Sequence, residues 1–249
     1  MKKKKKSFPK VTVLLLAAAA VLLVGSGVGS ARAALTYYSE NYSVQMNMQS
    51  IGVSLTENGD VVSSRDYAEP DKWEGSTEGT LLSKMFGENE KFTPGKKYEE
   101  AIGVTNSGNI DTFVRVIITK SWQDADGNKN TTLSPDLIEL NYLTDNGWAI
   151  AEDQSTPERT VLYYTKAVGV GESTPALSDT LRINQSIASE VTKTVKDNTI
   201  TYSYQYDGYT FHVDAEVDAV QTHNAKDAIK SAWGVDVNVS EDETEISLQ

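Results

Sequence analysis

The segment from Thr199 to Val220 constrains the fold most, because apolar and polar residues alternate along it in two successive runs. A period of two places successive side chains on opposite faces of an extended strand. Asp207-Gly208 separates the two runs, and this dipeptide favours the tight turn of a β-hairpin. Upstream, residues 191–196 followed by Asp197-Asn198 predict a third strand of the same meander.

A second strong strand is predicted from Thr112 to Trp122. Its two faces carry Val114, Val116 and Ile118 on one side and Phe113, Arg115 and Ile117 on the other. Apolar residues on both faces are typical of a strand that lies inside a sandwich. Further strand candidates are residues 44–55, 98–104, 138–142, 148–151 and 160–167.

Helical signals are few. Asn224 is a favourable N-cap for a helix over 225–233 that ends at Gly234, and residues 80–86 are a second, shorter candidate. Many short strands with few helices predict an all-β, two-sheet sandwich with one or two short helices. The periodicity leaves an immunoglobulin-like and a jelly-roll topology equally open.

The first 33 residues have the organisation of a signal peptide. A basic run at Lys2–Lys6 and Lys10 precedes an apolar stretch at 11–24, and Ala31-Arg32-Ala33 matches the pattern that signal peptidases cut before Ala34. The apolar stretch is shorter than the roughly 20 residues that cross a bilayer, which favours removal over permanent anchoring. We therefore predict a signal peptide at 1–33, one β-sandwich domain at 34–235, and a frayed acidic tail at 236–249.

Charge and cysteine content exclude several classes of function. After residue 33 the chain has 16 basic and 35 acidic residues, so its surface repels nucleic acid and anionic lipid. It contains no cysteine, which excludes disulfides, thiol catalysis and zinc–thiolate sites. We expect an exported protein with no nucleic-acid partner and no stable membrane anchor after processing.

The segment that would follow the cut, Ala34-Leu35-Thr36-Tyr37-Tyr38, is rich in strand-forming residues. In an extended conformation Leu35 and Tyr37 would point to one side, and Ala34, Thr36 and Tyr38 to the other. Such a chain end can complete the sheet of its own domain or the sheet of a neighbouring molecule. The residues by themselves leave both possibilities open.

Two patterns could hold a cation. Asp124, Asp126 and Asn128 resemble the first half of a calcium loop, although an ordinary turn uses the same residues and the loop lacks Glu at its twelfth position. His212, Asp214, Glu216 and Asp218 line one face of a predicted strand. We favour a turn for the first pattern and a solvated face for the second, so calcium remains a weak expectation.

Enzymatic chemistry has little support in the sequence. The chain has two histidines, His212 and His223, and no H-E-x-x-H motif. A hydrolytic metal site needs two or three histidine or carboxylate ligands and an acid–base residue beside the bound water. We expect His223 to be a surface residue near a helix start, and we expect no catalytic activity.

Several stretches together resemble the TasA and camelysin family. The Ala-x-Ala boundary followed by Leu35–Ser39 is similar to the signal junction of that family, which a SipW-type signal peptidase cuts. Further similar stretches follow in the same order: Phe92-Thr93-Pro94-Gly95, Asn106-Ser107-Gly108, Val114-Arg115-Val116, Asn146-Gly147-Trp148, Gly171-Glu172-Ser173-Thr174, and Asp214–Gln221 leading to Ala232-Trp233-Gly234. The chain departs from the family pattern at Tyr37-Tyr38 and in the long 192–206 segment.

The resemblance implies a jelly-roll domain secreted into the biofilm matrix, or onto the cell surface, of a Gram-positive bacterium. It implies self-association into fibres, in which residues 34–38 of one subunit insert as a donor strand into the sheet of the next, with other matrix proteins as further partners. A monomeric cell-surface binding or adhesion module is the main alternative. A camelysin-type metalloprotease is a weaker one.

Overall fold

The computed structural model describes residues 50–69, 72–77, 79, 81–82, 92–189, 191–196 and 199–249, together with a few helical positions between 10 and 17. The chain divides into two compact units, Met1–Asn47 and Met48–Gln249. The described residues of the first unit, such as Val11 and Leu14, are helical and exposed. Among all described residues, no helix is long and apolar enough to span a bilayer.

In its described residues the second unit consists of antiparallel strands and one α-helix, which confirms the predicted all-β class. The strands are β1 Gly52–Glu57, β2 Asp60–Glu69, β3 Lys72–Thr77, β4 Lys97–Glu99, β5 Ile102–Asn106, β6 Thr112–Gln123, β7 Lys129–Asn130, β8 Ile138–Tyr142, β9 Trp148–Ile150, β10 Arg159–Tyr164, β11 Ser178–Ile183, β12 Val191–Lys196, β13 Thr199–Tyr204, β14 Thr210–Gln221, β15 Val237–Val239 and β16 Ile246–Leu248. The helix is α1, Ala225–Trp233.

One layer of the sandwich combines two sheets, β3-β2-β1-β5 and β4-β11-β8. The two sheets are continuous, because β4 leads almost directly into β5 and residues 172–183 form backbone hydrogen bonds along both strands. Backbone N–H groups of Asn106 and Glu100 donate to the carbonyls of Glu172 and Asp179, at 2.9 Å each. The second layer has the order β14-β6-β10-β9, with β7 paired to β6.

β6 is the central strand of the second layer, and both of its faces are buried as the sequence predicts. Val114, Val116 and Ile118 join a core that also contains Leu55 and Ile102 from the first layer. On the other face, Phe113 and Ile117 pack in a second cluster. That cluster is covered by Ala225, Ile229 and Trp233 of α1, and by Val237 and Ile246 of the β15–β16 hairpin.

The predicted hairpin across Asp207-Gly208 is wrong. Both strands exist, but in the described part of the chain β13 pairs with β12 whereas β14 pairs with β6. A two-residue hairpin turn of this type needs positive φ at both central residues, and only Gly208 has it. Asn58 and Gly59, with φ of 51° and 88°, meet this requirement and join β1 to β2.

The predicted frayed tail at 236–249 is also wrong, because these residues form the β15–β16 hairpin. Val237 and Ile246 are buried, at 0% and 4% exposure. The hairpin is held by backbone bonds of 2.8 Å from Ala167 to Thr244 and from Ile246 to Thr165. The acidic residues lie at exposed positions between the buried apolar ones. The high charge of this segment led to the prediction of a frayed tail, although its pattern is that of a short amphipathic hairpin.

The remaining predictions differ in smaller ways. Helix 225–233 ends at Gly234 with φ of 74°, as expected, but the side chain of Asn224 makes no capping hydrogen bond. The strand predicted at 98–104 is divided between β4 and β5. Residues 81–82 form a turn, and the other residues of the predicted helix at 80–86 lie outside the described residues.

Replacing Ile229 with alanine tests whether α1 seals the outer face of β6. Ile229 is fully buried in the second cluster, so Ile229→Ala should lower the free energy of unfolding by about 2–4 kcal/mol. Urea denaturation measures this loss, with Lys226→Ala on the exposed face of the same helix as the control. A loss below about 1 kcal/mol would contradict this packing of α1 on β6.

Candidate functional site: the open edge of β14

β14 is a long strand at the margin of its sheet. Its twelve residues pair with β6 from Thr210, opposite Gln123, to Gln221, opposite Thr112. Among the described residues no strand pairs with its other side. In an antiparallel strand every second residue directs its N–H and C=O groups away from a given neighbour, so this side is a template for a further strand.

A groove runs along this edge between the two layers. Its largest part is a cavity of about 770 Å³, bounded by residues 209–215 on one side and by Leu55, Val62 and Ser63 of β1 and β2 on the other. Gly79, Leu81, Leu82 and Phe92 complete its wall.

Two smaller hollows continue the cavity. The first, of about 130 Å³, lies between Val53 and Leu55 of β1 and Ala215 and Val217 of β14. The second, of about 240 Å³, reaches Ala219 and Trp233. We call the three together the edge groove. Because adjacent members share lining residues, the edge groove follows β14 for roughly 27 Å from Phe211 to Ala219, at about 3.4 Å per residue.

The floor of the edge groove is apolar because the β14 residues with one parity face it. These residues are Phe211, Val213, Ala215, Val217 and Ala219, and all pack against the core between the layers. The residues of opposite parity near the start of the strand, Asp214 and Glu216, are exposed. The alternation seen in the sequence therefore gives the groove an apolar floor, whereas Asp214 borders its largest cavity and Glu216 lies on the outer surface.

Aromatic rings form one end of the edge groove. Phe211 lies 5.3 Å from Phe92 and 6.3 Å from Trp122, measured between ring centroids. The indole N–H of Trp122 donates to the carbonyl of Ser134 at 2.8 Å. This bond satisfies the polar atom of the ring and leaves its apolar body in the core.

An ion pair lies at the other end. Both Nε and Nη2 of Arg115 donate to Asp218 Oδ2, at 2.9 and 2.5 Å, and the guanidinium lies 5.3 Å from the ring of Trp233. Burial alone would lower the pKa of Arg115, but the hydrogen bonds and charge of Asp218, with a contribution from Tyr163, raise it. The carboxylate of Asp218 is therefore fixed by its ion pair with Arg115.

The predicted calcium residues lie at the turn between β6 and β7. The carboxylate of Asp124 accepts the backbone N–H groups of Asp126 and Asn128, at 3.0 and 2.8 Å. These bonds, first that from Asn128, lower the pKa of Asp124. The same loop also closes through the N–H of Asp124 and the carbonyl of Asn128. The geometry is that of a turn capped by its own aspartate.

The second predicted row does not form a ligand cluster. Across the described ranges no group of three histidine, aspartate or glutamate side chains is placed to hold a metal ion. Asp218 is bound by Arg115, and His223 Nδ1 lies 3.5 Å from Glu243 Oε2 on the surface. The cleavage residues Ala31, Ala33 and Ala34, and the donor segment Ala34–Tyr38, lie outside the described residues.

The sequence did not indicate two parts of the site. The β2 side of the edge groove was missed because residues 60–65 do not alternate clearly in hydrophobicity. Glu57 lies beyond the strand predicted at 44–55, yet its side chain is buried beside Glu100. Its odd-numbered position, shared with Val53 and Leu55, is the sequence feature that could have indicated a buried carboxyl group.

No protein-family model, curated protein or solved structure matches this chain.

Replacing the aspartates of the β6–β7 turn separates a calcium site from a capped turn. Asp124→Ala should lower the urea midpoint of unfolding more than Asp126→Ala does, and millimolar calcium should leave the wild-type midpoint unchanged. Since the pKa of Asp124 is lowered by folding, its contribution is present at neutral pH and is lost as the pH falls below about 4. A calcium-dependent rise in melting temperature that Asp126→Ala abolishes would instead establish the calcium loop.

Proposed function

We propose that this chain is a secreted structural protein of an extracellular matrix, and that it assembles into fibres by donor-strand exchange. The edge groove along β14 is the observation that carries the proposal. Its occupant would be residues 34–38 of a second copy, exposed as a new chain end after a signal peptidase cuts behind Ala33. The resemblance to the TasA and camelysin family, with its jelly-roll domain and its biofilm location, points to the same function.

The chemistry of the edge groove suits an extended peptide. A donor strand would satisfy the outward N–H and C=O groups of β14, while its alternate side chains enter the apolar hollows. Leu35 and Tyr37 lie on one side of such a strand and would face the layer interior, where Val53, Leu55 and Val213 are buried or half-buried. Main-chain bonding supplies affinity, and the hollows select the register.

The same contact explains polymerisation. The donor segment and the acceptor groove are different surfaces, so each bound subunit still presents one of each. Such a head-to-tail contact does not close on itself and produces a filament. The excess of acidic residues would limit association by other surfaces, because like charges repel. We propose no enzymatic role and no cofactor.

Removing the donor segment tests the proposal. Protein starting at Ala34 should form filaments visible by electron microscopy, whereas protein starting at Ser43 should stay monomeric by light scattering. A peptide of residues 34–42 should bind the shortened protein and raise its melting temperature. At a peptide concentration one hundred times the Kd, the free energy of unfolding should increase by about 2.7 kcal/mol. Monomers from both proteins, with no effect of the peptide, would favour the monomeric surface module.

Filling the edge groove tests its role as the acceptor. Ala215 faces the groove, and Ala215→Trp should occupy the space of the donor side chains and abolish filaments while the protein stays folded. Glu216→Trp is the matched control, since this neighbouring residue is exposed on the opposite face. Filaments from the Ala215→Trp protein at the wild-type rate would rule out the groove as the acceptor.

A further inference from the structure

Two carboxyl groups lie where the fold calls for apolar side chains. On β1, Glu57 has the same parity as Val53 and Leu55, which face the core. Glu100, between β4 and β5, has the same parity as the buried Ile102 and Val104. Glu57 and Glu100 are only 5% and 1% exposed. Burying two adjacent negative charges is strongly unfavourable, so at least one of these groups needs a proton or a cation.

The side chain of Glu100 lacks hydrogen-bond donors. Neither of its carboxyl oxygens has a hydrogen-bond partner among the described residues other than a second carboxyl. The backbone around it is fixed, because its N–H donates to Asp179 and its carbonyl accepts the hydroxyl of Ser178 at 2.7 Å. The neighbouring group is the carboxyl of Glu57, which can accept a hydrogen bond from Glu100 only if Glu100 carries a proton.

Glu57 connects this pair to the edge groove. Its Oε1 accepts the backbone N–H of Leu82 at 2.5 Å. Leu82 has φ of 66°, a conformation that is unfavourable for a bulky side chain and persists only where contacts hold it. Leu82 also lines the largest cavity of the groove, beside Leu81 and Gly79. The carboxyl of Glu57 thus positions part of the cavity wall.

We propose that Glu57 and Glu100 share one proton in the folded protein, with Glu100 as the donor and Glu57 as the acceptor, and that loss of this proton releases the part of the wall formed by Leu81 and Leu82. The carboxylate of Glu57 then accepts from both Glu100 and Leu82. Ionisation of Glu100 places two negative charges side by side and weakens the arrangement that holds Leu82. The device makes one wall of the edge groove sensitive to alkaline pH, whatever the groove binds.

The electrostatics agree with this geometry. Burial, then the charge and the hydrogen bond of Glu57, raise the pKa of Glu100 to about 8. The charged residues on the packed strands lie at the surface: Asp60, opposite Glu57 in β2, and Glu99 and Lys97 of β4 are exposed, and Asp179 bonds to Asn141. Because folding raises this pKa, the stabilising contribution of the proton is complete below about pH 4.5, decreases as the pH rises and the unfolded chain loses its proton, and is gone once the pH passes about 8.

The test uses the full chain and its Glu100→Gln variant. An amide donates to Glu57 as a protonated acid does, so the variant should keep the arrangement at every pH. Between pH 5 and 9 the wild-type folding equilibrium constant should fall at least about tenfold more than that of Glu100→Gln. Glu99→Gln is the control and should follow the wild type. Equal pH dependence of wild type and Glu100→Gln would overturn the proposal.

Two measurements on the wild type remain decisive if the variant does not fold. Carboxyl carbon NMR should show a glutamate that titrates near pH 8, and hydrogen exchange at Leu81 and Leu82, corrected for intrinsic rates, should rise above that pH. Titration of every glutamate below about pH 6 would contradict a shared proton. A melting temperature that millimolar calcium raises, and that Glu100→Gln makes independent of calcium, would show that the pair holds a cation instead.

Discussion

The pairing of β14 with β6 determines the rest of this structure. It runs without a register shift over twelve residues, so the apolar parity of β14 faces the core beside the buried face of β6. β6 lies between β14 and β10, and among the described residues no strand pairs with the other side of β14, which is therefore the margin of the layer. The same pairing that completes the core therefore creates the unpaired edge on which the proposed assembly depends.

The two faces of the second layer differ in how completely they are covered. Its outer face is covered by α1 and the β15–β16 hairpin, which bury Ile229, Val237 and Ile246. On its inner side, in the described part of the chain, the layers separate along β14 into the edge groove. At one point the groove wall depends on a buried carboxyl, Glu57, rather than on apolar packing. A polar contact there allows the wall to respond to conditions, whereas a leucine would not.

Strand positions could be read from the sequence wherever alternation was long, and β6, β8 and α1 lie almost where predicted. The pairing of strands could not be predicted in the same way. Asp207-Gly208 and Asn58-Gly59 are similar turn signals in the sequence, and only their backbone φ angles distinguish them. The tail at 236–249 was misread because its many acids outweighed two buried apolar residues. The apolar floor of the edge groove was visible in the alternation of β14. Its opposite wall was not, because it comes from strands far away in the sequence.

The most direct test is to locate the donor segment by disulfide formation, which the absence of native cysteine makes clean. Thr36→Cys and Glu216→Cys, which would lie on the same outer face of the paired strands, would be introduced into separate chains, one carrying a mass tag, and the chains would be mixed and oxidised. The account predicts a disulfide within filaments that joins the two introduced cysteines, one from a tagged chain and the other from an untagged chain. With both substitutions in one chain, a disulfide formed only within that chain, under the same conditions, would contradict it.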